Sequence, residues 1–492
     1  MIPEAIADPL PSRARTSTVA ERQAAGVAAR AGRSRTSLAG YAPASDRPDP
    51  VSLLAGQETS RVQALLPLRH SRMSVSPFTF YRGSAVIMAS DLAAMPNTGL
   101  VTQLCGDAHL SNFGVFAAPD RSLVFDINDF DETNPGPFEW DVCRLATSFS
   151  LAGREVGLAD ADVRNAVTAV GFGYRTQMAA YASMPDLDVW YDRISVDVLL
   201  QWTKAEGFTG AEKRIGKAAT KARSRDSWSA ITKMTEVVDG KRRFLNTPPL
   251  LFRIPMDDAV AERVTEMVRE YQDTLPRDRR LLLNHYHVID VGHKVVGVGS
   301  VGLLAFVLLM QGRDENDLIV LQAKQAVASV LEPYTAPSAY QQSGERVVVG
   351  QQIMQAASDI FLGWVRGNAA REFYVRQLRD MKFAPDPATF NESSLLGYAM
   401  ICGRTLARAH ARSGDAVELA GYLGASAKFD RAILDFALAY TEQVDADYAA
   451  YQKAIAGGTV TLAREGEDTT YAVVVDSSRG VELVSGSGPA SS

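Results

Sequence analysis

The chain has 492 residues, 46% of them hydrophobic and 22% charged, with a formal net charge of −6. That length exceeds one ordinary core, so two lobes or two domains are expected, and the charge gives no global attraction to nucleic acid or an anionic membrane. Cys105, Cys143 and Cys402 are widely separated, a usage that fits a reducing compartment and neither a disulfide framework nor a metal motif.

The first 48 residues are punctuated by Pro and Ser and rich in Arg and Ala, and read as a mobile tail without the basic-then-apolar order of a signal peptide. SPFTFYRG then leads into helical apolar spacing over Ser84 to Met95. LVTQLCGDAHLSNFGVF reads as a strand, a polar loop and a second strand. LVFDINDFDE is a further strand ending in acids, NPGP a turn, and EWDVCRLATSFSLAG an amphipathic helix. Residues 150 to 280 read mostly helical. Within them Lys204 to Arg243 holds 11 basic and 5 acidic side chains, which suits either a solvated face or a contact surface for an acidic substrate. HVIDVGHKVVGVGSVGLLAFVLLM and DLIVLQAKQA are β-rich, Glu345 to Ala357 is helical, and DIFLGWVRGNAAREFYVRQL is a hairpin around Gly367-Asn368. Helices return beyond residue 394. The most apolar run, Val301 to Met310, is about half the roughly 20 residues of a spanning helix, so no membrane span and a cytoplasmic location are expected.

Two segments carry chemistry. In Gly106-Asp107-Ala108-His109-Leu110-Ser111-Asn112, a carboxylate and a carboxamide share one loop between strands. Asp107 can orient a hydroxyl or take its proton, and Asn112 can offer a neutral oxygen to a divalent cation. The plain alternative is a pair of turn caps. Asp126, Asp129, Asp131 and Glu132 follow closely; carboxylates so near one another repel unless a cation neutralises them, which points to Mg²⁺ or Mn²⁺ rather than an acidic surface loop. Farther on, Gly297, Gly299, Ser300 and Gly302 form a glycine loop followed by strand residues rather than a helix, the form that folds over nucleotide phosphates. Lys324 then lies in the apolar strand LIVLQAK. It is either an edge-strand lysine or one that meets a phosphate and a helix carboxylate, with Glu345 as the expected partner and Glu332 the alternative.

GDAHLSN, NDFDE and WDVCRLA resemble the catalytic loop, metal-binding segment and following helix of the protein-kinase-like superfamily, in its aminoglycoside and choline kinase branch. That resemblance implies Asp107 and His109 as catalytic residues, Asn112 and Asp129 as metal ligands with Asp126 and Asp131 beside them, and Asp141 as a brace behind the loop. The order departs from the superfamily, because the glycine loop and lysine come after the catalytic loop. LLGYAMICGRTLARAHARSGD resembles the helix that normally runs into that loop, so joining its end to QLCGDAHLSN restores the usual order. A circularly permuted, two-lobed α+β fold is the expectation. Residues 1–48 would be tail, 49–280 the helical lobe with both loops and an insert, 281–392 a β-rich nucleotide lobe, 393–460 completing helices, and 461–492 a second tail.

In SPFTFYRG, CGDAHLSNFG, the FDINDFDET–PGP–EWD run, GVGSVG and LQAKQA, the chain over roughly residues 49 to 455 most closely resembles the bacterial family called domain of unknown function 2252. Tyr81 and Arg82 belong to that pattern; Arg82 is either a phosphate clamp or a structural bridge to the acids. The function expected is ATP- and Mg²⁺-dependent phosphoryl transfer to an unidentified acceptor. Nucleotidyl transfer by the same parts, a silent nucleotide-binding scaffold, and a metal-dependent phosphoester hydrolase are the competing readings.

Overall fold

A computed structural model describes residues 10, 16–205, 215–217, 219–220, 227–248, 250–295, 301–367, 371–378, 382–463, 471–476 and 480–485. The first long element is helix α1 (Val19–Ala28), started by Thr18 in a capping box with Glu21. For residues 16–48 it corrects the expectation of a mobile tail, while most of residues 1–15 lie outside the described residues. A Cβ on Gly26 would lie 1.9 Å from Glu418 O, so α1 is seated directly on the helix Ala416–Leu423. Arg22 pairs with Asp415 at 3.1 Å, and Arg47 bridges Asp91 and Asp447 at 2.6 Å each. The arginines that gave this stretch its tail-like composition are its anchors.

Four short strands follow, β1 (Val101–Leu104), β2 (Phe113–Ala117), β3 (Leu123–Ile127) and β4 (Asn134–Pro137). β2 and β3 form an antiparallel hairpin whose tip precedes the acids, while β4 pairs antiparallel with β1. NPGP, expected as a turn, is therefore strand β4; its prolines are tolerated because a two-stranded ribbon has only edges. Helices α2 (Glu139–Glu155) and α3 (Asp160–Tyr181) come next.

The stretch expected to be mostly helical also holds a small hairpin, Thr235–Val238 with Lys241–Phe244, and strand β5 (Leu251–Ile254). Strands β6 (His287–Lys294), β7 (Ala305–Gln311) and β8 (Leu318–Ala326), helix α4 (Ser343–Met354), and strands β9 (Gly363–Arg366) and β10 (Glu372–Gln377) complete this part. The sheet runs β9-β10-β8-β7-β6-β5, antiparallel throughout. All nine residues of β8 are buried, as a central strand requires.

Helices α5 (Glu392–Ser413), α6 (Ala416–Leu423) and α7 (Lys428–Ala456) close the helical half. α5 crosses α3 at backbone contact distance: a Cβ on Gly403 would meet Val170 O at 2.4 Å, and one on Gly173 would meet Met400 O at 2.5 Å. The buried apolar residues divide in the same way. Phe138, Phe149, Tyr174, Leu406 and Phe429 belong to the helical core, and Leu65, Phe252, Leu304, Leu321 and Phe373 to the sheet core. Each such side chain contributes about 1.5–3 kcal/mol by leaving water. The fold is α+β, and among the described residues no helix is long and apolar enough to cross a membrane.

Candidate active site

β1 ends at Leu104, and the chain reverses at Gly106 with φ +80°. A Cβ there would stand 2.2 Å from Glu132 O, so both conformation and space demand glycine. Asp141, in the first turn of α2, accepts from Cys105 N–H at 2.7 Å and Gly106 N–H at 3.0 Å, with His410 Nε2 of α5 3.3 Å away. That carboxylate aims the loop.

Asp107 reaches the surface with 19% of its side chain exposed. Its Oδ1 accepts from Arg144 Nε at 2.8 Å, and His109 Nε2 stands 3.7 Å from Oδ2. Burial pushes the His109 pKa down to about 4 against the pull of Asp107, so the imidazole is neutral at pH 7. Asn112 Nδ2 donates to Asp107 O at 2.7 Å, which ties off the loop, and Asn112 Oδ1 accepts no hydrogen bond from the described residues.

The acids after β3 separate into different roles. Asp126 is 1% exposed and is held by Arg408 at 2.5 Å, by Ile127 N–H at 2.8 Å and by Ala356 N–H at 3.1 Å. Its oxygens are used inside the protein, which removes it from the expected metal ligands. Glu132 accepts from Val330 N–H at 2.8 Å. Asp131 accepts from Tyr374 Oη at 2.8 Å and pairs with Lys324, while Asp129 lies 3.7 Å from Lys324 Nζ with 31% of its side chain exposed. Burial works to raise both pKa values. Lys324, Arg376 and Lys382 nevertheless hold Asp129 down at about 2, whereas Asp131, facing Asp129, is raised.

Lys324 is 3% exposed in the central strand β8, so it is not an edge lysine. Burial opposes its charge, but Asp129 and Asp131 raise its pKa and keep the ammonium. The expected partner Glu345 does not pair with it. Glu332, the alternative, lies 3.6 Å from Arg346 Nε instead. It is Arg346 that ties α4 to the acid segment, donating to Asp131 O at 2.9 Å, Val327 O at 2.8 Å and Thr133 O.

A cleft of about 370 Å³ opens beside Asp129 and Lys324, with Lys294, Gln322, Arg376 and Lys382 along its walls. It lies between β6, β8 and β10 on one side and the β2–β3 hairpin on the other. Of the glycine loop, Gly297, Gly299 and Ser300 lie outside the described residues. Gly302 has φ +93°, its carbonyl accepts from Val62 N–H at 2.7 Å, and the buried Arg61 donates to Val301 O at 2.7 Å. Much of the basic stretch 204–243 also lies outside the described residues.

Among the described residues no three His, Cys, Asp or Glu side chains converge as a metal site. Of the side chains expected to ligate a metal, Asp129 and the carboxamide oxygen of Asn112 remain open. The two loops are joined where Asn128 N–H donates to Asn112 O at 2.7 Å. That small donor set fits Mg²⁺, which keeps several waters and binds through one or two protein oxygens plus substrate phosphates. Sequence reasoning missed Arg144, Arg346, Tyr374 and Arg376. Their signal was present but general, a charged or polar side chain inside an otherwise apolar helix or strand.

The chain belongs to the family described as uncharacterized protein conserved in bacteria (DUF2252), whose model matches residues 61–454. No curated protein and no solved structure matches it.

Proposed function

We propose that this member of the family is an ATP- and Mg²⁺-dependent phosphotransferase with a circularly permuted, protein-kinase-like arrangement of two lobes. The observation that supports it best is the meeting of Lys324, from the central strand of the sheet, with Asp129 and Asp131 at the mouth of a cation-lined cleft. A hydrolase built on the acids alone has no use for a buried lysine there. The permuted order is supported by the end of α5, where Ser413 Oγ accepts from Gln103 N–H at 3.0 Å, one strand before the Asp107 loop.

In this reading Lys324 leaves Asp131 for the nucleotide phosphates, to which its charge is better matched. Asn112 and Asp129 hold Mg²⁺, which supplies charge neutralisation on those phosphates. Asp107, fixed by Arg144, accepts the hydrogen bond of the acceptor hydroxyl and takes its proton as that oxygen bonds to the γ-phosphorus and the bond to the departing ADP breaks. His109, 3.7 Å from Asp107, has its pKa lowered by burial to about 4 and is therefore a weak base for that proton.

The test is thermal denaturation with and without Mg-ATP, in the wild type and in Lys324→Ala and Asp129→Ala. The ligand raises the melting temperature of the wild type and does so less in either variant; an unmoved wild type refutes the nucleotide site. Labelled ATP then separates phosphoryl from nucleotidyl transfer, because γ-label on the product supports the first and α-label the second.

A further inference from the structure

Arg82 is a cation that this chemistry leaves unused. It closes the short helix Pro77–Gly83, whose first turn is fixed by a capping box between Ser76 and Thr79. Its neighbour Tyr81 is locked to α2. The Tyr81 hydroxyl donates to Arg144 O at 2.8 Å, its carbonyl accepts from Arg144 Nη2 at 2.7 Å, and its ring lies 3.8 Å from the Arg144 guanidinium carbon. The backbone that carries Arg82 is therefore held rigidly against the helix that aims Asp107.

Yet Arg82 itself is half-buried with no hydrogen bond or ion pair among the described residues, and its Nε is buried without a partner. Its guanidinium carbon lies 5.8 Å from the Phe78 ring. Asp107 and Glu155 are the carboxylates whose charges act on it. Asp107 is already occupied by Arg144, and Glu155 accepts from Ser76 Oγ at 2.8 Å. Of the two guanidiniums near Asp107, Arg144 alone pairs with it, and neither Asp107 nor Glu155 forms an ion pair with Arg82. Withdrawing an unmatched guanidinium from water is unfavourable, and a fixed, unpaired one is prepared for an anion that arrives from outside.

We propose that Arg82 binds an anionic group of the acceptor, so that the molecule whose hydroxyl meets Asp107 is a small phosphate-, sulfate- or carboxylate-bearing compound. The link to an acceptor rests on the phosphotransferase reading; the anion site does not.

The experiment saturates the protein with Mg-ADP at constant ionic strength and follows melting temperature against inorganic phosphate, sulfate and acetate. The proteins are wild type, Arg82→Gln, Arg82→Lys and Lys324→Ala. Phosphate stabilises wild type and Lys324→Ala saturably, Arg82→Gln loses about tenfold or more in apparent affinity, and Arg82→Lys recovers part of it. Acetate acting more strongly than phosphate or sulfate assigns a carboxylate instead. Equal stabilisation of Arg82→Gln and wild type overturns the proposal. Should Arg82→Gln not fold, the wild type decides alone, because no saturable anion effect is then a refutation. An Arg82-dependent phosphate effect without any Mg-ADP effect keeps the anion site and removes the phosphotransferase reading; the reverse removes the anion site only.

Discussion

Asp126 and Asp129 stand almost side by side in sequence and should fail in opposite ways. Asp126 is 1% exposed and Arg408, its partner, 0%. Asp126→Asn keeps an acceptor for one Arg408 N–H but leaves a buried guanidinium uncompensated, a change that costs about 3–5 kcal/mol. Unfolding entropy of about 2.1 cal/mol/K per residue, over 492 residues, comes to about 1 kcal/mol/K for a chain that unfolds as one unit. The melting temperature should therefore fall by about 3–5 °C. Asp129 is partly exposed, and Lys324 keeps Asp131 when Asp129 is neutralised. Asp129→Asn should cost within about 1 kcal/mol, hence about 1 °C or less. Scanning calorimetry with a Mg-ATP titration reads both effects at once. Asp126→Asn should melt early and keep the nucleotide increment, whereas Asp129→Asn should melt normally and lose it. An Asp126→Asn protein as stable as wild type would refute the assignment of that carboxylate to the core. An undiminished increment in Asp129→Asn would refute the metal role of the other.

Gly106→Ala combines a positive φ with a Cβ against Glu132 O, so it should destabilise by about 1–3 kcal/mol in urea unfolding and displace Asp107; a neutral effect would mean the turn is not built as described. Arg346→Leu strips the donor from Asp131 O, Val327 O and Thr133 O, and at about 1–3 kcal/mol per orphaned acceptor it should lower the urea midpoint well beyond an ordinary surface change. His293, between the rings of Phe252 and Phe306 and without a partner on either nitrogen, has its pKa lowered by burial from 6.5 to about 4. The unfolded chain takes up that proton first, so the stability this histidine lends is whole above pH 6.5 and drains away as pH falls toward 4. His293→Phe should flatten this part of the stability–pH curve, and an unchanged slope would show that other groups set it.

What could be read from the sequence was what is local. Short apolar runs gave the strands around Val124 and Val320, and amphipathic helical spacing gave α2 and α5. The loop Gly106 to Asn112 could be picked out as a candidate site because all its parts lie within seven consecutive residues. What could not be read was which charge meets which across long separations. Asp126 belongs to Arg408, Asp131 to Lys324, and Asp107 to Arg144, and nothing in the residues themselves distinguishes an acid held by arginine from one left free. Lys324 and Glu345 looked paired because strand lysine followed by helix acid is a familiar succession. The helix instead turns Arg346 toward the acid segment, one residue on and about 100° around its axis. The N-terminal arginines misled for the same reason, since composition records charge and not its partner.

The pairs that composition hid also bear on chain order. In the proposed permutation α5 would once have run straight into β1, and here that peptide link is absent. Noncovalent contacts take over at the same place. Gln103 N–H reaches Ser413 Oγ, and a Cβ on Gly414 would lie 2.6 Å from Thr102 Cγ2. Tyr398 Oη donates to Leu110 O at 3.0 Å and Phe113 O at 2.9 Å, His410 meets Asp141, and Arg408 meets Asp126. A helix that is not chained to the loop it supports has to be held in register by directional bonds, or its rotation would carry the loop with it. Asp126 and Asp141 supply two of those bonds from the loop's side. Asp126, which looks like one more metal ligand, is thus accounted for with Asp141 as the fastening of α5, while Asp129 keeps part of its carboxylate exposed beside the cleft.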